Sequence, residues 1–237
     1  MGPGAAPVNA SIIVLHYGRH DLTDACLDSL DVDAEVIVVD NDPGYLHDRA
    51  DILVRPRKNT GYARGCNLGA AVASGHVLVF LNNDTVPQSG WLDALLAPFD
   101  HPLVSVTGAR LLYPDGRVQH AGVDIYRDGQ GVLTGAHADP NLAMVRRDVQ
   151  AVTGACMAVR RRSFDMAEGF HEGYWNGYED VDLCLQVTQG GGRIVYEPDC
   201  VVIHHESASG PARWTKVREN VQLLQQRWPE FGSDVEV

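Results

Sequence analysis

The chain lacks any apolar run of the ~18 to 20 residues that a membrane-crossing helix needs, and basic residues are scarce among its 237 positions. Lys and Arg number 19 against 31 Asp and Glu, a net charge of −12 at pH 7. That balance argues against nucleic acid as the main partner, because phosphate-backbone binding depends on clustered cations. The basic residues come in short runs, Arg55-Pro56-Arg57-Lys58, Arg146-Arg147 and Arg160-Arg161-Arg162. They read either as solvated surface or as steering groups for a diphosphate. The five cysteines, 26, 66, 156, 184 and 200, are odd in number and scattered. Neither a zinc site nor a disulfide framework fits them, so reduced, buried thiols in a cytosolic protein are expected. Met1 to Pro7 has neither the basic nor the apolar region of a signal peptide, and residues 1–10 read as a loose, disordered tail. No GxGxxG turn follows the first apolar run, which sets an NAD-dependent dehydrogenase aside.

What is present is a 45% hydrophobic composition, enough for a substantial core. Ser11 to His16, Glu35 to Asp40 and His76 to Leu81 are continuous apolar runs, read as buried parallel strands, with Ile52 to Val54 a weaker one. Between them lie a helix capped by Asp21, a small-residue helix over 65–74 ended by Gly75, and a helix over Trp91 to Leu96. Alternation of this kind predicts an α/β fold, a mostly parallel central sheet flanked by helices, with ligands beyond the C-terminal strand ends. From Arg110 to Asp148 the chain turns rich in Gly, Asp and His, which predicts loops and hairpins. Regular signals return over 151–160, in a helix over 179–189 stopped by Gly190-Gly191-Gly192, in two short strands (193–196 and 201–204), and in helical spacing over 212–228. No linker divides residues 11–237. One domain is expected, with a nucleotide-binding half (11–100), an acceptor and metal half (101–210) built on a smaller sheet, and a C-terminal helix (211–237).

Chemistry collects at strand and helix ends. His16, Asp40 and Asp84 each fall at the end of an apolar run. Asp40 can accept hydrogen bonds from a nucleobase or ribose, or serve the turn that follows it; with Asp84 on a neighbouring strand end, nucleotide binding is favoured. Asn59-Thr60-Gly61-Tyr62-Ala63-Arg64-Gly65-Cys66-Asn67 is a glycine-rich entry to a helix, whose unpaired N–H groups attract phosphate or simply begin the helix. Asn82-Asn83-Asp84 offers one hard oxygen ligand and two amides, which suffices for Mg²⁺ or Mn²⁺ when a diphosphate completes the shell. His204 and His205 follow an apolar strand and could add imidazole ligands. Glu179, Asp180 and Asp182 crowd one helix start. Some act as caps there, and mutual repulsion raises one pKa towards the range a general base needs. Trp175 and Tyr178 beside them could floor a sugar site.

In order along the chain, Val38-Val39-Asp40-Asn41, the Asn59 to Asn67 phrase, Phe80-Leu81-Asn82-Asn83-Asp84-Thr85, Val152-Thr153-Gly154-Ala155-Cys156, Gly177-Tyr178-Glu179-Asp180-Val181-Asp182-Leu183 and Val202-Ile203-His204-His205 resemble the family-2 glycosyltransferases of the GT-A fold, in particular their rhamnosyltransferase-like branch. The resemblance implies an inverting, metal-dependent transfer of a sugar from a dTDP- or UDP-linked hexose or deoxyhexose to an acceptor hydroxyl in polysaccharide biosynthesis. It places Asp40, Asn41, Gly61, Arg64, Asn67, Asn82 and Asn83 near the donor nucleotide, together with His16. Asp84 would hold Mn²⁺ or Mg²⁺ with His204 or His205, Asp180 would be the base, and Trp175, Tyr178 and Glu179 would meet the acceptor. Asn82 replaces the first acid of the family's DXD motif, which implies looser metal binding. The acceptor implied is a glycan, a lipid-linked glycan or a small metabolite. The 212–228 helix leaves dimerisation, or peripheral contact with the inner membrane face, open. Competing readings are a sugar-phosphate nucleotidyltransferase, whose basic glycine-rich loop is missing from His16-Tyr17-Gly18-Arg19-His20, and a nucleotide-sugar-binding module without turnover.

Overall fold

Residues with continuous β-branched runs have nowhere to go but a two-sided interior, and that is where they lie in the computed structural model, which describes residues 9–42, 44–125, 131–135, 142–206 and 215–229. In chain order, β1 (Ala10–His16), α1 (His20–Asp28), β2 (Glu35–Asp40), β3 (Ile52–Val54), α2 (Tyr62–Val72) and β4 (Val77–Asn82) form the first half. Next come β5 (Thr85–Pro87), α3 (Trp91–Leu96), β6 (Val104–Leu112), β7 (Val118–Ile125), β8 (Gly131–Gly135) and β9 (Arg147–Asp148). β10 (Cys156–Arg160), α4 (Arg161–Met166), α5 (Glu179–Gln189), β11 (Arg193–His204) and α6 (Val217–Arg227) complete the fold.

The sheet runs β3-β2-β1-β4-β10-β6-β11-β5, with β7 on β6, β8 on β7 and β9 on β11. β1 pairs in parallel with β2 and β4, and its register sets His16 opposite Asp40 and Leu15 opposite Asn82. The C-terminal ends of all three strands are therefore level at one edge. Only β10 and the short β5 run against the others on this path; β6 and β11 are parallel, so His204 closes β11 at the same edge and pairs with Thr85. Side chains alternate across β1: Ile12 and Val14 join Leu27 of α1 and Leu95 of α3 in one core, while Ile13 joins Cys66 of α2 and Leu183 of α5 in the other. Each such fully buried aliphatic is worth roughly 1.5–3 kcal/mol. Glycine lets α2 sit close on the sheet. A Cβ at Gly65 would lie 2.4 Å from Leu15 Cδ1, and one at Gly69 2.5 Å from Ile13 Cγ2.

Several expected details differ. Asp21 is not the cap of α1: the helix begins at His20 after Arg19, and Asp21 pairs with the Arg19 guanidinium instead. Gly75 does not end α2, which stops at Val72 with Ala73 already extended. Gly75 instead passes against the β1 backbone, where a Cβ would come within 2.6 Å of Ser11 N. The two short strands over 193–204 are one strand, bent by a bulge between Glu197 and Val201. β6 had no expected counterpart, because Ser105, Thr107 and Gly108 interrupt the apolar run of a strand that is buried on both sides. The 1–8 tail and Trp214 lie outside the described residues. Among those described, all five cysteines are buried and unpaired with one another, and no helix is long and apolar enough to cross a membrane.

Candidate active site

Where the strand ends come level, a cavity of about 240 Å³ opens between the β4–β5 turn and the start of α5. Asn82, Asn83, Asp84 and His204 line one side, and Glu179 and Asp180 line another. The two acidic segments, nearly a hundred positions apart in sequence, thus share one space.

Asp84 and His204 are both buried, and His204 Nε2 lies 3.1 Å from Asp84 Oδ1. The other imidazole nitrogen, Nδ1, is 2.6 Å from Gln119 Oε1. The Gln119 amide nitrogen faces the His204 carbonyl and the Glu206 carboxylate, at 3.5 and 3.4 Å. Its oxygen therefore accepts from Nδ1–H, which turns Nε2 towards the carboxylate oxygen. A hard carboxylate plus an imidazole fixed from behind by an amide is a donor set that suits Mn²⁺ or Mg²⁺. Among the described residues no third His, Cys, Asp or Glu joins them. His205 is exposed and turned away; only its backbone N–H reaches this turn, bonding Asp84 O at 2.9 Å.

Asp180 is half-buried at the opposite wall. Its Oδ2 accepts from Gly154 N–H (2.7 Å) and its Oδ1 from Val181 N–H (2.9 Å). Burial pushes its pKa up, against those backbone hydrogen bonds, which pull it down. The largest cause is desolvation, rather than the repulsion among neighbouring carboxylates that the sequence implied. The three acids of this helix start are in fact separated by task. Glu179 accepts from Gly177 N–H (2.7 Å). Asp182 is turned away from the cavity and fully buried, where it accepts from Tyr174 Oη, Arg227 and Trp228 Nε1.

The glycine-rich entry to α2 forms a third wall. Asn41 organises it: its Oδ1 accepts from Thr60 N–H (2.9 Å) and Thr60 Oγ1 (3.0 Å), and its Nδ2 donates to Asn59 Oδ1 and Gly61 O. Gly61 has φ +78° and ψ 179°, a combination closed to other residues. The roof is Trp175, Asn176 and Gly177. Asn176, Gly177 and Tyr178 all have positive φ, and α6 holds them there. Buried Asn220 accepts from Trp175 N–H and donates to Trp175 O and Gly177 O.

Not every expected residue meets the cavity. His16 is buried below it, stacked on Tyr45 with ring centroids 4.0 Å apart and bonded to Thr23 Oγ1; burial lowers its pKa. Asp40 is buried beside it, one oxygen taken by Gly44 N–H, Tyr45 N–H and Arg55 Nε. The other oxygen has no partner among the described residues. Asn67 brackets the backbone of Phe170 at 2.9 Å in both directions. Arg64 lies in a neighbouring cavity, and Tyr178 packs into the core. Conversely, Gln119, Gly154 and Asn220 were not assigned roles from sequence. Gly154 stood within a matched phrase, whereas Gln119 lies in the stretch read as loops and hairpins. Nothing local distinguishes Asn220.

Known proteins share both the sequence pattern and the fold. The model of the family described as "Glycosyl transferase family 2" matches residues 11–166. The uncharacterized protein y4gI of Sinorhizobium fredii is 33% identical over 218 residues, covering 82% of this chain and 24% of that protein. The N-acetylglucosaminyl-diphospho-decaprenol L-rhamnosyltransferase of Mycobacterium tuberculosis is 30% identical over 146 residues, 56% of this chain and 48% of the relative. The chain thus spans a quarter to a half of these relatives. Among solved structures, GalNAc-T7 with UDP, GalNAc and Mn²⁺ superposes with a TM-score of 0.72 at 15% identity, covering 94% of this chain and 48% of that one. That likeness establishes the GT-A fold. With the family model spanning most of the sheet and both strand-end turns, the chain belongs to glycosyl transferase family 2.

Proposed function

We propose that the protein moves a sugar from a nucleoside-diphosphate sugar to an acceptor hydroxyl, with inversion at the anomeric carbon. The observation that carries this reading is the single cavity between the Asp84–His204 pair and Asp180. The first wall suits a cation and diphosphate, and the second suits a proton acceptor. A family 2 chain with these walls fits glycosyl transfer better than nucleotidyl transfer.

Asp84 and His204 would hold Mn²⁺ or Mg²⁺, whose chemistry is to neutralise charge on the departing diphosphate. Gly61 and Tyr62 at the start of α2 line the same space, and the positive end of that helix favours the phosphates. Asp180 takes the proton as the acceptor oxygen bonds to the anomeric carbon. The bond from that carbon to the diphosphate oxygen breaks, and the electron pair leaves with the nucleotide. Gly154 and Val181 N–H groups fix the carboxylate's orientation during this step. Trp175 covers the acceptor side. The donor is a dTDP- or UDP-linked hexose or deoxyhexose, and the acceptor a glycan end.

A thermal-shift panel of nucleoside diphosphates and nucleotide sugars, with and without Mn²⁺, tests the reading. A Mn²⁺-dependent rise in melting temperature, lost in Asp84→Ala, is expected. Nucleotide binding without transfer or donor hydrolysis would instead identify a binding module.

A further inference from the structure

A second cavity, about 580 Å³, adjoins the first; the two share Asn59 and Trp175. Its composition is opposite to that of the molecule. Acids outnumber bases in the chain by 31 to 19, yet this cavity is lined by Arg55, Arg57, Lys58 and Arg64 and by no carboxylate. Arg55 is engaged with Asp40 at 3.1 Å, and Arg64 is within 3.9 Å of Glu172. Arg57 and Lys58 have no ion-pair partner among the described residues. A further cation, Lys216 Nζ, lies 5.4 Å from the Trp175 ring centroid. Uncompensated like charges around a concave wall repel one another and raise the local anion concentration. In an acidic protein such a cluster has no solubility role to explain it.

Position says which anion. On the function proposed above, the donor diphosphate lies with Asp84 and His204 in the first cavity. The basic cavity adjoins it at Trp175, the residue proposed above to cover the acceptor. Resting on the function proposed above, we propose that this cavity is a subsite for a phosphate or diphosphate carried by the acceptor. Arg57 and Lys58 are its principal contacts and Trp175 is the wall between the charged group and the reacting hydroxyl. Guanidinium groups grip phosphate oxygens in pairs, and an ammonium adds a point charge. The acceptor is therefore a glycosyl phosphate or diphosphate, with the sugar under Asp180 and the charged group one cavity away.

The test is calorimetric titration of the full chain with inorganic pyrophosphate in a chelating buffer, where the metal-dependent donor site does not compete. Wild-type protein should bind, with affinity falling as salt is raised. Arg57→Ser/Lys58→Ser should weaken binding about tenfold or more, since each charge-assisted contact carries roughly that factor. Arg162→Ser, a basic change elsewhere on the surface, should not weaken it. A second arm uses sedimentation with phosphatidylglycerol–phosphatidylcholine vesicles. Pyrophosphate binding that ignores the double substitution would overturn the proposal. So would vesicle binding lost in the double variant with no pyrophosphate binding in the wild type, which would mark a membrane-facing patch. If the Mn²⁺-dependent nucleotide shift persists in either case, only the subsite fails and the transferase reading stands.

Discussion

Helices α2 and α5 open onto the same cavity, and both begin on a residue with positive φ and no side-chain cap, Gly61 at +78° and Tyr178 at +74°. Their first turns could hardly differ more. That of α2 contains no acid, so its N–H groups stay available to a ligand; that of α5 contains Glu179, Asp180 and Asp182. One helix start is left electrically open and the other is filled from within. The lesson is that a helix N-terminus gains its function from what occupies its first turn. The same backbone geometry makes an anion receptor in one place and a seat for a base in the other. The two starts are also held differently. Glycine relieves the strain at Gly61, whereas at Tyr178 it is borne by the clamp from Asn220.

The comparison breaks most sharply at Asp180. Asp180→Asn should cut transfer by about 10²- to 10⁴-fold while nucleotide affinity, which belongs to the α2 side, stays close to wild type in titration calorimetry. Near-normal turnover would end the base assignment. Because burial raises this carboxyl's pKa, its charged form is lost as pH falls through a value above the usual 3.8. The acid limb of the kcat/KM profile should therefore lie above that figure, with no matching limb in nucleotide binding.

Asp182, two positions on, should behave in the reverse way. Asp182→Asn leaves Arg227 without its buried counter-charge. It should cost about 3 kcal/mol in urea unfolding, the lower end for a broken buried pair because Arg227 is partly exposed, yet spare catalysis in the folded fraction.

The α5 side also carries an acid-sensitive support. His120 Nε2 accepts from Thr153 N–H, which precedes the Gly154 that bonds Asp180. Burial lowers the His120 pKa from 6.5 to about 4. Its stabilisation is present above pH 6.5 and is lost as pH falls towards 4, where the unfolded chain binds a proton that the native one refuses. The loss, roughly 3 kcal/mol from the linkage relation, should appear in melting temperature between those pH values and vanish in His120→Gln.

Gly61→Ala is the smallest change. The added methyl group meets Trp175 only at 3.9 Å, so backbone strain alone acts. A loss of about 1–2 kcal/mol is expected, with weaker nucleotide binding and an unchanged pH profile. A shifted profile would show that the two helix starts are coupled.

Much of this was legible in the residues. Ile12 to Leu15, Val36 to Val39 and Leu78 to Leu81 admit only buried parallel strands, and such a sheet puts Asp40 and Asp84 at one edge. The His204 and His205 pair stayed ambiguous, because adjacent strand residues face opposite sides and sequence does not say which side holds the cavity. In the structure it is the His204 ring that meets Asp84. Crowding of Glu179, Asp180 and Asp182 was visible, but not their division. Only the docking of Arg227 and Trp228 shows that Asp182 is structural.

Composition and apolar periodicity by themselves determined the α/β alternation, the polarity of the strands and the edge on which chemistry gathers, since these follow from local burial and chain connectivity. Tertiary structure alone decided that Gln119 orients His204, that Gly154 holds Asp180 and that Asn220 fixes the Trp175 roof. Those are contacts between residues 26 to 85 positions apart, and a hydrogen bond across such a separation exists only once the whole sheet has set both partners within about 3 Å.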